Sequence, residues 1–286
     1  MMPRSCHRTP DHHGRRLFSM SPVRSMRIAL CVALTGAVLA FGNGGASAST
    51  LPCSAPKALT RFGAPTPSLT KAFAANEAIR IVAFGSSSTE GAGASAQDRT
   101  YPARLAAMLR RMLPGRQFTV INRGRGGELA SDMLARLERD VISASPTLVI
   151  WQTGVNDAIR GVDMGEFHAV VEAGIDRLRA EGIDVILLDA QYYPRALKVK
   201  DYRDYQVLIR KIATANNVPV FRRYQLMTHL VESGQFRIEE LLAKDRFHMN
   251  DTSYNCLGAV IAEAIRMRLD DDRAKATTTA RSTPPQ

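Results

Sequence analysis

The chain has 286 residues, 45% of them hydrophobic and 23% charged, with a formal net charge of +11. That balance suits a globular domain with one sizeable core and excludes a disordered or low-complexity chain. The basic surplus does not make a nucleic-acid binder, because no interleaved aromatic and basic platform and no recognised motif accompanies it.

At the N-terminus, Arg15, Arg16, Arg24 and Arg27 precede an apolar run over 28–41, and small residues follow to Ala46-Ser47-Ala48. This is the order of a secretory signal peptide, with cleavage expected after Ala48. The run is short of the ~20 residues that a membrane span needs. Arg15-Arg16-Leu17-Phe18 partly resembles a twin-arginine signal if Met1 is the start, and Met20 and Met26 are alternative starts. Losing residues 1–48 removes six arginines and one aspartate, which takes the net charge to +6. The expectation is an exported monomer, periplasmic or extracellular, without a stable membrane anchor. Of four cysteines, Cys53 and Cys256 outlast the leader, and they either pair in an oxidising compartment or stay as two thiols.

Residues 49–76, rich in Pro, Ala, Ser and Thr, read as an extended lead-in. The domain is expected over 77–270. Short apolar runs at 79–84, 118–121, 148–152, 185–188 and 218–221 suit strands buried on both faces. Helical stripes lie between them: Leu105, Met108, Leu109 and Met112; Leu134, Leu137 and Val141; Phe167, Val171, Gly174 and Leu178; Leu208, Ile212 and Ala215. Leu257, Ile261 and Ile265 mark a last helix, and 271–286 reads as a disordered tail. Strand–helix alternation of this length predicts an α/β fold. Its form is a three-layer α/β/α sandwich on a parallel, flavodoxin-like sheet of about five strands.

In such sheets the loops at the carboxyl ends of the strands converge on a site. The chemistry-bearing residues fall in those loops. Gly85-Ser86-Ser87-Ser88-Thr89 follows the first strand, 122–128 the second and Gly154-Val155-Asn156-Asp157 the third. Asp245-Arg246-Phe247-His248 lies between the last strand and the last helix. A serine becomes a nucleophile at neutral pH only beside an imidazole, and the imidazole needs an acceptor to hold its tautomer. The serine turn is not a phosphate loop, since it has no lysine. Nor is it a Gly-x-Ser-x-Gly elbow, since Thr89 holds the last position. Each fragment alone is equally a turn, a cap or a surface pair; together they point to hydrolysis by an activated serine. His168 and His229 sit in predicted helices without partners at ligand spacing, so they read as surface or partly packed, and no metal site is expected.

These four segments, in order and over roughly 79–268, resemble the blocks of the SGNH subgroup of GDSL-type serine esterases. Gly154-x-Asn156-Asp157 and Asp245-x-x-His248 match closely. The first block departs, with Ser86 where the family has aspartate, and Met249 stands where the family often has proline. The register from Gly85 selects Ser87 among the three serines. The resemblance implies a catalytic triad of Ser87, Asp245 and His248. It implies an oxyanion hole from the backbone N–H of Ser87 and Gly127 with the side-chain amide of Asn156. It also implies no metal and no organic cofactor. The substrate is then a small-molecule or polysaccharide ester. Residues 191–200, aromatic and basic, either line a sugar or anionic-substrate cleft or form an ordinary surface loop. No long apolar lid for lipid chains is evident, which favours short acyl or O-acetyl groups. The same fold also serves a silent polysaccharide-binding protein, and the same residues serve an O-acyltransferase.

Overall fold

A computed structural model of the chain describes residues 51–282, with side chains described through Lys275. The expected signal peptide therefore lies outside the described residues. Five parallel strands form one sheet: β1 (Ile79–Gly85), β2 (Phe118–Gly124), β3 (Leu148–Gln152), β4 (Asp184–Leu188) and β5 (Val220–Phe221). Their order is β2-β1-β3-β4-β5, the flavodoxin-like arrangement. Every residue of β3 and of β4 is buried, the consequence of helices on both faces.

Helix α1 (Pro67–Ala74) comes first, and α2 (Ser87–Glu90) and α3 (Tyr101–Met112) lie in the β1–β2 crossover. Helices α4 (Ala130–Ala135), α5 (Leu137–Asp140), α6 (Val155–Arg160), α7 (Met164–Ala180) and α8 (Tyr202–Ala215) lie in the later crossovers. After β5 come α9 (Arg223–Glu232), α10 (Ile238–Leu241) and α11 (Asp251–Ser282). Right-handed crossovers put the connection leaving β1 for β2 on one face and those running from β3 through β5 on the other. Accordingly α1, α3 and α11 pack together, and α4, α7 and α8 pack together. The α3–α11 crossing is close: a Cβ on Gly258 would come within 2.8 Å of the Leu105 backbone nitrogen.

Two expectations change. The segment expected as an extended lead-in holds α1, because Pro67 at the first helical position and buried Leu69, Ala72 and Phe73 make it an amphipathic helix against the core. Leu69 N–H also donates to Asp184 Oδ2 at 2.8 Å. The tail expected to be disordered from 271 continues α11 to Ser282; its first turns are fastened by Asp271 to Arg61 at 3.1 Å and by Asp272 to Thr70 Oγ1 at 2.6 Å. The Asp245–His248 turn lies between β5 and α11 as expected, with α9 and α10 preceding it. Cys53 and Cys256 are joined, Cα atoms 5.7 Å apart, tying the N-terminal segment to α11.

Candidate active site

The topological switch between β1 and β3 opens a crevice at the carboxyl edge of the sheet, and the serine turn occupies it. At the end of β1 the chain passes so close to β3 that a Cβ on Gly85 would lie 2.8 Å from the Gln152 carbonyl oxygen. From there the three serines diverge. Ser86 is buried, and its N–H and hydroxyl both donate to Gln152 Oε1, at 3.0 and 3.1 Å. Thr89 Oγ1 donates to the same oxygen at 3.1 Å. Ser88 is buried too, its hydroxyl donating to Gln191 Oε1 at 3.4 Å. Ser87 alone faces the rim, with Oγ 2.8 Å from His248 Nε2.

That imidazole is held by a turn closed by an isolated antiparallel bridge between Leu242 and Met249. Ala243 N–H donates to the His248 carbonyl at 2.8 Å, and Arg246 takes φ +56°, a left-handed position that few non-glycine residues adopt. Asp245 does two jobs. Its Oδ1 accepts from the Phe247 and His248 N–H groups at 2.9 and 3.0 Å, and its Oδ2 lies 2.6 Å from His248 Nδ1. Partial burial works against the charged carboxylate, but the His248 ring and those two N–H donors outweigh it and hold Asp245 below the usual carboxylate range. Met249, where a proline was the family expectation, is buried and carries that bridge.

The amide donors come from the loops after β2 and β3. Ser87 opens α2, so its N–H has no acceptor within the helix. Gly126 backs the nucleophile, and a Cβ there would sit 3.9 Å from Ser87 Cβ. Gly127 follows at φ +77°, with its carbonyl accepting from Arg160 Nη2 at 2.8 Å. Asn156, in the first turn of α6, donates one amide hydrogen to the Glu128 carbonyl at 2.8 Å, which leaves the second for a ligand. Gly154 starts that helix at φ +90°, where a Cβ would also meet Ile209 Cδ1 at 2.8 Å. Asp157 Oδ1 accepts from Ala130 N–H at 3.0 Å, binding the two loops together.

Sequence reasoning missed several supporting residues. Gln152 gathers Ser86 and Thr89 beneath the nucleophile. Phe247 packs edge-on against His248 with ring centres 4.6 Å apart, and Tyr193 packs edge-on against Phe247 at 4.9 Å, so Tyr193 braces the imidazole through Phe247. Below them Arg223 and Asp189 are fully buried, with Arg223 Nε donating to the Asp189 carbonyl at 2.8 Å. Burial pushes the Asp189 carboxyl up to about 6. The available signal was a polar residue closing each apolar run: Gln152 ends β3, and Asp189 follows β4 directly. His168 lies 3.9 Å from Glu172 and half exposed, and His229 is half-buried on α9. The described residues hold no cluster suited to a metal ion.

A serine and an Asp-x-x-His turn meeting over the switch point of a 2-1-3-4-5 sheet define the SGNH/GDSL class of esterase-type proteins. Within it the chain belongs to the Non-GDSL lipase-like family, whose model matches residues 52–271. That match begins near the start of the segment expected to be a lead-in and takes in most of it. Esterase TesA of Pseudomonas aeruginosa is 31% identical over 80 residues, 28% of this chain and 40% of that one. Among solved structures, a two-domain esterase active on acetylated mannans is 22% identical with a TM-score of 0.64; the likeness covers 73% of this chain and 56% of that one. An acetyl xylan esterase is 25% identical with a TM-score of 0.56, over 65% of this chain and 99% of its own. The chain thus spans well under two thirds of the esterase TesA and mannan-esterase chains it matches.

Proposed function

We propose that this protein is an exported serine esterase that hydrolyses short acyl or O-acetyl esters, on carbohydrate carriers above all, through an acyl-enzyme on Ser87. The observation that carries the reading is the 2.8 Å approach of Ser87 Oγ to His248 Nε2, with the Asp245 carboxylate behind the ring at 2.6 Å. Ser87 Oγ attacks the ester carbonyl carbon as its proton passes to His248 Nε2. The carbonyl oxygen becomes an oxyanion that accepts from Ser87 N–H, Gly127 N–H and the second amide hydrogen of Asn156. Collapse breaks the bond to the alcohol, which leaves with the proton from His248. Water then repeats the sequence, releasing the acid and restoring Ser87. Asp245 keeps Nδ1 protonated, so that Nε2 is the basic nitrogen, and it stabilises the imidazolium that forms in each step.

The acetyl xylan esterase likeness supports a small acyl group on a sugar. Export is supported by the leader pattern and by the Cys53–Cys256 disulfide, a bond that persists in oxidising compartments. The test is hydrolysis of p-nitrophenyl esters of increasing chain length, with and without a serine-directed phosphonate. Turnover should be highest for acetyl and lost on labelling, and Ser87→Ala should lose several decades while melting normally. No turnover and no labelling of a folded protein would favour a silent carbohydrate-binding role.

A further inference from the structure

Beside the triad lies an open cleft of about 410 Å³ lined by Ile159, Tyr193, Arg195, Lys198, Arg246 and Phe247, with the Asp245 of the triad at its end. A second cleft of about 590 Å³ shares Ile159, Lys198 and Val199 with it and continues past Arg160 and Lys200. Sharing those residues, the two clefts adjoin as one groove with more room than a single acetyl ester fills. Its cations outnumber its acids, and the acids are already engaged. Asp245 is held by His248, Asp163 accepts from the Gly165 and Glu166 N–H groups at 2.8 and 3.0 Å, and Asp201 lies 3.9 Å from Lys200. Arg195, Lys198 and Arg246 are exposed and have no ion-pair partner among the described residues. Arg195 and Lys198 belong to a 3-10 turn (Pro194–Lys198), in which positions i and i+3 eclipse, so both project from one side of the groove. The floor beneath, Ile159, Val199, Phe247 and Tyr193, offers apolar and aromatic surface of the kind that packs on sugar faces.

We infer that the groove selects acyl esters carried on an acidic polysaccharide, with Arg195 and Lys198 as specificity residues for the carboxylates of sugar units flanking the esterified one. The inference rests on the esterase reading and deepens it. Three unpaired cations along one cleft, with Arg160 and Lys200 beyond them, suit a polymer with a charge on each unit better than a single small anion. Acetate release is measured from acetylated polygalacturonate and from neutral acetylated xylan, with p-nitrophenyl acetate reporting the triad alone. The wild type should favour the acidic polymer by about tenfold in kcat/KM at low salt, with the preference shrinking in 0.5 M NaCl. R195Q/K198Q should lose that preference and keep its rates on xylan and p-nitrophenyl acetate within about twofold, since both side chains are exposed and outside the triad. Equal wild-type rates on the two polymers, or equal losses on all three substrates, would overturn the inference. Calorimetry with unacetylated polygalacturonate separates the groove from the chemistry. Binding weakened about tenfold in R195Q/K198Q, even in a protein without turnover, would uphold the groove and refute the esterase. Co-sedimentation with phosphatidylglycerol vesicles, dependent on Leu197 and Lys198 and without polygalacturonate binding, would reassign the cations to a lipid surface.

Discussion

Replacing Asp245 by asparagine and by alanine separates its two contributions to the dyad. With Oδ2 2.6 Å from His248 Nδ1, the attraction between carboxylate and imidazolium is 332/(ε·r), which is about 6 kcal/mol at ε near 20 and about 1.6 kcal/mol in bulk water. The Asp245 side chain is 48% exposed, so the lower half of that range applies, about 3 kcal/mol or two decades in rate. Asp245→Ala should therefore lower kcat about 100-fold, because water can enter and accept from Nδ1–H. Asp245→Asn keeps the oxygen that receives the Phe247 and His248 N–H groups, but it points an amide N–H at Nδ1. The ring must then carry its proton on Nε2, facing Ser87, where it cannot act as a base. The expected loss is about 10⁴-fold, so the closer structural mimic is the worse enzyme. Single-turnover kinetics on p-nitrophenyl acetate, with thermal melts of each variant, measure both. Equal losses in the two variants would refute the tautomer argument, and near-wild-type activity in either would remove Asp245 from the mechanism.

Ser86→Ala should cost about 1–2 kcal/mol of stability, by removing a buried hydroxyl from Gln152, while kcat falls far less than in Ser87→Ala; denaturant melts beside initial rates check this. Asn156→Ala should lower kcat by 10²–10³ with little change in KM, since its donor serves the transition state; a change confined to KM would assign it to ground-state binding. Asp189, with its carboxyl pushed up to about 6 by burial, keeps its proton in the folded state over a range where the unfolded chain has lost it. Stability should therefore fall as pH rises from about 4 to 6, by up to roughly 3 kcal/mol, and Asp189→Asn should flatten that fall in melts at pH 4, 5, 6 and 7. Asp140, held down to about 2 chiefly by its hydrogen bond from Arg139, titrates below this window, so it does not mask the effect.

The strands were legible because a parallel sheet covered on both faces needs unbroken apolar runs, and 79–84 and 148–152 are such runs. Strand β2 extends past the expected Ile121 to Gly124, because Asn122, Arg123 and Gly124 pair in register with Ala83, Phe84 and Gly85. Their polar character hid that pairing, and an edge strand tolerates it. Strand β5 was overstated for the matching reason: two residues complete the other edge. The N-terminal helix was invisible to composition, since Pro, Ser and Thr read as loop until Leu69, Ala72 and Phe73 find a core to face.

At the site, residue types and their order along the chain brought forward a serine turn and an Asp-x-x-His turn, because an activated serine needs an imidazole and the imidazole an acceptor, while the roles of Gly127 and Asn156 came from the family resemblance. The choice among three adjacent serines needed a family register, and packing supplies the physical reason. Gln152 and Gln191, distant in sequence, claim Ser86 and Ser88 for the interior and leave Ser87 on the rim. The same holds for the Phe247–Tyr193 brace, the Arg223–Asp189 pair and the unpaired cations of the groove. Local chemistry is written in the order of residues, whereas burial, facing and charge neutralisation depend on which distant segments the sheet brings together. Only the folded chain decides those.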